Sequence, residues 1–226
     1  MSFPSVNSNH NTGAQASGST SFVVTVPPHD EGDVLYIAIA QDGAATMTQA
    51  SFTTLYDNIS IGAGTATFCL FHRTATASEP ATYTITTTLS ERAAWIAWSV
   101  SNDGSVDSQA TTATGTDTTA SVNTITTTQD DCLGIAVFAT DLVSTPMSAM
   151  ANHTKLDESS VTSGASVGVY YRELTTAGAN GGGSVTLNAS EEWVGARFAI
   201  APGSFVPPEP PAVAVATVQR IRTYLP

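Results

Sequence analysis

Short apolar segments of strand length recur along the chain, separated by polar turns. Asp33–Ala40 (DVLYIAIA) is an apolar run after its first residue, which is typical of a central strand covered on both faces. In Thr82–Thr88, the positions of Tyr83, Ile85 and Thr87 alternate with those of Thr84, Thr86 and Thr88. This is the pattern of a strand covered on one face. No stretch of ten or more residues has a helical period; a single turn near Ser144–Ala151 is the best exception. The pattern predicts an all-β protein with strands at Ser21–Val26, Asp33–Ala40, Ala66–Arg73, Thr82–Thr88 and Ala93–Val100.

The second half of the chain repeats the first. Four segments recur in the same order, with offsets that drift from 98 to 102 residues. We therefore predict a jelly-roll-like β-sandwich made of two pseudo-repeated halves, 21–101 and 119–202, joined by a polar link at Asn102–Thr119. Two small sandwiches in tandem are the alternative. The matched segments are Asp33–Ala40 with Asp131–Phe138, Thr67–Arg73 with Ser166–Arg172, Tyr83–Ile85 with Val185–Leu187, and Glu91–Trp98 with Glu191–Phe198.

The two ends of the chain differ from the repeats. Residues 1–20 are rich in Ser, Asn and Gly and predict a flexible lead-in. Residues 203–226 combine a proline-rich linker with an alternating segment, which we interpret as a docking strand that needs a partner sheet edge. A disordered tail, or an edge strand of the same domain, is the alternative. The predicted partner-binding residues are Val213, Val215, Val218, Arg220, Ile221, Arg222 and Tyr224.

The charge balance narrows the class of partner. Seven Lys and Arg residues stand against 19 Asp and Glu, a formal net charge of −12. A surface this acidic disfavours nucleic acid and anionic membranes, because both would be repelled. Cys69 and Cys132 lie in apolar runs and are expected to be buried free thiols. Met1–His10 has neither the basic nor the apolar region of a signal peptide, so folding in a reducing cytoplasm is expected.

Several short motifs suggest chemistry, but each has a simpler interpretation. Gly164–Gly168 matches G-x-S-x-G, yet it leads into a strand where a nucleophile elbow requires a helix. The four histidines lack zinc-ligand spacing. Asn102–Asp107 is the loop we would choose for calcium, although it matches no known calcium loop. We therefore predict no catalytic residue, no cofactor and no metal.

Aromatic and ionic side chains on the matched strands have structural interpretations. Trp95, Trp98 and Trp193 occur within apolar alternation and are predicted to be core residues; a sugar-stacking platform is the alternative. Arg73 and Arg172 end matched strands, and we expect them to pair with the matched acids Glu91 and Glu191.

The ordered segments from Ser17 to Pro202 resemble a family of phage and prophage virion proteins with a jelly-roll-like β-sandwich. One departure is Ser101–Gly104, where the family has "GVD" and this chain reads SNDG. The resemblance implies no catalytic residues. The segments that carry it are Thr25–Pro27, Gly32–Ile39, Thr53–Leu55, Ala75–Thr84 and Trp193–Pro202.

The resemblance implies a non-enzymatic virion structural protein, assembled in the cytoplasm of a bacterial host. A capsid decoration or cement protein fits a compact acidic β body with a C-terminal arm that docks on major capsid or tail proteins. Symmetric homo-oligomers are compatible with this function. The alternative is a carbohydrate-binding module of a tail fibre or receptor-binding protein, which would bind a glycan. A hydrolase is the third class considered, without any acid–base or nucleophile set to support it.

Overall fold

A computed structural model describes residues 2–143 and 146–203. Within these ranges there is no helix, and so no helix long and apolar enough to cross a membrane. The strands are β1 (Ser5–Thr25), β2 (Val34–Asp42), β3 (Met47–Thr48), β4 (Thr53–Ile61), β5 (Ala66–Thr74), β6 (Thr82–Ser101), β7 (Asp103–Gln109), β8 (Ala113–Val122), β9 (Ile125–Thr127), β10 (Cys132–Thr140), β11 (Thr154–Ser160), β12 (Ser166–Leu174), β13 (Gly178–Asn180) and β14 (Gly183–Pro202).

The strands form two six-stranded antiparallel sheets, and each sheet comes from one half of the chain. The first has the order β1-β6-β2-β5-β4, with β3 beside β6. The second has the order β11-β12-β10-β14-β7, with β8 beside β14. β9 and β13 form a separate two-stranded ribbon. The two sheets pack face to face around a shared core, which confirms the predicted β-sandwich.

The central strands are buried on both faces because each sheet has apolar layers on both sides. Inner side chains such as Ala38 and Val137 contribute to the core between the sheets. The outer face of the first sheet is covered by the alternating starts of long strands: Ile85 of β6 and Phe22 of β1 pack over Ile37. β8 and the start of β14 supply the equivalent cover over the second sheet. This double coverage explains the continuous apolar runs in the sequence.

The register of the repeat differs from the sequence alignment by one residue in β2 and β10. Ala38 pairs with Leu70 and Ile96, whereas Val137 pairs with Val169 and Ala196. The structural offset is therefore 99, and the predicted offset of 98 is wrong for this strand. Side chains alternate between faces, so a slip of one residue exchanges the inner and outer sets.

The predicted lead-in at 1–20 is wrong, because β1 begins at Ser5 and pairs with β6 along most of its length. The small residues of this edge strand leave space for a tryptophan ring of the neighbouring strand β6. Gly13 is paired with Trp95, and a Cβ atom on Gly13 would lie 2.5 Å from that ring. Gly115 and Trp193 repeat this arrangement in the second half, with a corresponding distance of 2.4 Å.

Two further expectations are corrected by the strand positions. The polar link at Asn102–Thr119 is occupied by β7 and most of β8, which pair with β14 in two successive stretches. The helical turn expected near Ser144–Ala151 is absent from residues 146–151. Met147 and Met150 of this segment are buried in the outer core of the second sheet, so their spacing reflects burial in a loop.

The two sheets are related by an approximate twofold arrangement. β6 of the first half packs against β11, and β4 packs against β14. Since β11 is the repeat counterpart of β4, and β14 of β6, the contacts are reciprocal, as in an isologous dimer. His10 of β1 reaches Asp157 of β11 at 2.7 Å and bridges the sheets at one edge.

Candidate functional site

A cleft of about 490 Å³ opens between the sheets where β4 and β5 face β7. Hydroxyl, amide and carboxyl groups converge there on an aromatic floor, a mixture typical of small polar ligand sites. The lining includes Thr53, Thr54, Thr74, Ser105, Gln109, Tyr36, His72 and Asp103.

The cleft contains a hydrogen bond between the two halves. The buried hydroxyl of Tyr36 in β2 donates to Oδ2 of Asp103 in β7 at 2.7 Å. Burial raises the pKa of Asp103 to about 6, while the hydrogen bond from Tyr36 acts in the opposite direction. Burial first, and then the nearby Asp103 charge, raise the pKa of Tyr36 well above its ordinary value. The pair is therefore a neutral phenol beside a carboxyl group that titrates close to neutral pH.

Sheet register forms an aromatic row beneath the cleft, and two of its members, Tyr36 and His72, line the cleft. His72, Tyr36 and Trp98 are consecutive cross-strand partners on β5, β2 and β6. Tyr36 is stacked on both sides, with ring centroids 5.8 Å from His72 and 5.4 Å from Trp98. Burial lowers the pKa of His72, which favours a neutral imidazole. Because both faces of Tyr36 are covered, the cleft offers hydrogen-bonding groups but little aromatic surface for a sugar ring.

Asn102 makes hydrogen bonds to both ends of the described chain, which meet at one end of the sandwich. Its side-chain amide donates to the hydroxyl and carbonyl oxygens of Ser2. Its carbonyl oxygen accepts the N–H of Gly203 at 2.7 Å, directly after β14. The predicted docking strand, with Val213, Val215, Val218, Arg220, Ile221, Arg222 and Tyr224, lies outside the described residues and stays a prediction. Any segment that follows Gly203 starts from this fixed point.

The predicted core role of the tryptophans is confirmed. Trp95, Trp98 and Trp193 are 7%, 0% and 4% exposed, so the sugar-stacking platform is wrong. None of the other aromatic side chains among the described residues is fully exposed either. The cysteine prediction is also confirmed, since Cys69 and Cys132 are both free and buried.

The proposed calcium loop does not gather its carboxylates. Asp103 accepts the Tyr36 hydroxyl, whereas Asp107 accepts the N–H and hydroxyl of Thr128, at 2.8 and 2.5 Å. Within residues 2–143 and 146–203, no group of three or more His, Cys, Asp or Glu side chains is placed to hold a metal ion. Ser166 of the G-x-S-x-G motif is a buried strand residue, and its hydroxyl donates to the Leu142 carbonyl oxygen at 2.8 Å.

The predicted arginine pairs are wrong in both halves. Arg73 pairs with Glu79 at 3.0 Å, and its guanidinium also lies over the Phe52 and Tyr83 rings. Glu91 faces Asp42, which contributes to a raised pKa of Glu91 after the larger effect of burial. Arg172 lies near Arg197 and His153. Burial lowers the pKa of both Arg197 and His153, and the positive charge of Arg172 lowers each pKa further.

Sequence reasoning missed Tyr36, His72 and Asp103 as neighbours. Tyr36 was visible as the residue with a polar hydroxyl inside the apolar run that follows Asp33, and Asp103 follows the first repeat. Their contact depends on how the second sheet lies over the first, which local pattern does not specify.

Comparison with protein-family models gives no match, and neither the curated proteins nor the solved structures contain a significant one. The fold and the cleft therefore define the protein as an antiparallel β-sandwich of two repeated sheets with a polar cleft between them. Any narrower assignment has to be argued from its residues.

Proposed function

We propose that the chain is a non-enzymatic structural protein of a phage virion, most simply a capsid decoration or cement protein that docks through residues 203–226. The observation that carries this proposal is the fixed exit of the chain at Gly203, held by Asn102 at one end of the sandwich. An arm that begins at a rigid point loses less conformational entropy on docking than one that begins in a mobile loop.

The surface chemistry favours a role on the capsid surface over a sugar-binding role. The net charge of −12 and the Thr- and Ser-rich exterior disfavour non-specific association of the sandwich with other proteins. Such a protein would bind its neighbours through one defined segment. The carbohydrate-binding alternative loses its main support because the tryptophans are buried. The ordered resemblance between Ser17 and Pro202 supplies the virion context.

Co-sedimentation with purified phage particles tests the proposal. Full-length protein is compared with a version that ends at Ser204, and with a full-length variant in which Val213, Val215 and Val218 are replaced by Asn. Saturable binding of the full-length protein alone is expected. The body is retained in both altered proteins, and circular dichroism of each confirms that loss of binding is not loss of folding.

Equal binding of the full-length and shortened proteins would refute docking through the arm. Absence of binding by either would refute decoration, and a glycan array on the same samples would then test the alternative directly.

A further inference from the structure

The side chains of two arginines and one histidine, Arg197, Arg172 and His153, lie together on the outer face of the second sheet. Arg197 of β14 is fully buried, and its Nη1 donates to the carbonyl oxygens of Asn180 and Gly181. Its Nε and Nη2 atoms are buried and have no hydrogen-bond partner. These two atoms form the side edge of the guanidinium, which binds two oxygens of one carboxylate or phosphate group.

Arg172 of β12 and His153, which directly precedes β11, approach the same region. Arg172 pairs with Gly134, and Arg197 pairs with Ala136 two residues further along β10. At about 4.8 Å between strands and about 3.3 Å per residue, the two arginine Cα atoms are roughly 12 Å apart, so both side chains reach one point above β10. Arg172 Nε is buried without a partner. His153 Nδ1 lies 2.8 Å from the Ala151 carbonyl oxygen, which leaves its buried Nε2 without one.

The first half shows what an arginine at this position requires. With the structural offset of 99, Arg172 is the counterpart of Arg73, which is neutralised by the carboxylate of Glu79 at 3.0 Å. Among the described residues, the cluster in the second half has no such carboxylate, and it carries a second guanidinium, because Arg197 is the counterpart of Ala97. The second half therefore has two positive charges where the first has an internal ion pair. Burying charges without a counter-ion is costly.

The second half also has smaller side chains beneath this cluster than the first half has at the equivalent positions. Leu35 and Ile37 of β2 correspond to Gly134 and Ala136 of β10, so two large side chains are replaced by small ones beneath the arginines. The neighbouring loop is glycine-rich, and a Cβ atom on Gly181 would meet nothing within 4 Å. The cluster therefore borders open space at Gly181, and its member Arg172 is half-buried.

We propose that Arg197, Arg172 and His153 form a binding site for a small phosphate-type oxyanion, either free phosphate or the terminal group of a phosphomonoester. One pair of oxygens would accept from Nε and Nη2 of Arg197, and the remaining oxygens would accept from Arg172 and from His153 when it is protonated. A dianion matches the two guanidinium charges better than a monoanion does. The inference is independent of the virion proposal.

Isothermal titration calorimetry of the full-length protein in an amine buffer at constant chloride tests the site, with inorganic phosphate, phenyl phosphate and acetate as probes. We expect one phosphate per chain, with acetate binding at least about tenfold more weakly. Phenyl phosphate binding as tightly as phosphate would identify a phosphomonoester as the source. Binding of inorganic phosphate alone would identify the free ion.

The variants Arg172→Gln and Arg197→Met are each expected to weaken phosphate binding by about tenfold or more. Arg92→Gln is the matched control, because it removes the same charge from an arginine that donates to Thr162 and Ser163 carbonyls elsewhere. Arg172 is half-buried, so its variant keeps the test valid if Arg197→Met does not fold. The proposal is overturned if wild-type protein binds no phosphate, if acetate binds as tightly, or if Arg172→Gln and Arg92→Gln bind phosphate equally.

Discussion

The carboxyl group of Asp103 is predicted to make the protein less stable as the pH rises through 6. Its pKa in the folded protein is about 6, against an ordinary value of 3.8. The folded state therefore binds the proton more tightly than the unfolded state does. Stability from this group is fully present below pH 3.8, and it is lost as the pH rises through the folded pKa of about 6. Above that pH the loss is complete and constant.

The size of the effect follows from the two pKa values. A tenfold difference in proton affinity corresponds to about 1.36 kcal/mol, so the full effect is roughly 3 kcal/mol. Asp103 is only half-buried, and water screens part of its charge, which makes this figure an upper bound. We expect the Asp103→Asn variant to be about 1–3 kcal/mol more stable than wild type at pH 8 and equally stable at pH 3. The amide oxygen of Asn still accepts the hydroxyl of Tyr36.

Urea denaturation at closely spaced pH values from 3 to 8, followed by tryptophan fluorescence, measures this difference. Asp141 and Glu91 also have raised pKa values, chiefly through burial, so the difference between the two proteins is the informative quantity. The companion variant Tyr36→Phe removes the hydrogen bond that favours ionised Asp103, and it should cost more stability at pH 8 than at pH 3. A difference curve for Asp103→Asn that is flat with pH, or a variant that is less stable at pH 8, would refute the reasoning.

Three further predictions concern packing and the cysteines. Trp98→Ala should lower the free energy of unfolding by about 3–5 kcal/mol because Trp98 is fully buried, whereas Leu89→Ala, at a side chain 60% exposed, should change it by less than about 0.5 kcal/mol; urea denaturation measures both. Gly13→Ala should also destabilise, and should shift the fluorescence of Trp95, since the new methyl group would overlap the ring; an unchanged spectrum would contradict the close approach. Burial raises the pKa of Cys69 to about 12 and that of Cys132 to about 11, so a thiol reagent at pH 8 should label neither in the folded protein and both in urea.

The sequence was sufficient for the strands whose apolar pattern is strong, because burial on one or two faces leaves a local signature. It was insufficient for β1, whose Ser- and Gly-rich start is held by backbone pairing with β6 and by the Trp95 ring above Gly13. Over residues 5–19 such pairing connects residues 72 to 96 positions apart, and it does not require apolar side chains. β7 and β8 were missed for the same reason. Edge strands are recognised from their partners more than from their own composition.

The one-residue error in aligning β2 with β10 shows why the candidate sites could not be predicted from the repeat alone. An offset of 98 matches Tyr36 with Gly134, which point to opposite faces, whereas the structural offset of 99 matches Leu35 with Gly134. Only the structural offset reveals that small residues in the second half lie beneath Arg197. One divergence between the halves lies on this outer face, where an internal ion pair is replaced by two guanidinium groups that have no carboxylate partner among the described residues. In a chain with seven cationic residues and a net charge of −12, placing two of them together without a carboxylate from the described residues opposes folding. That cost is most simply explained by a ligand that supplies the missing negative charge.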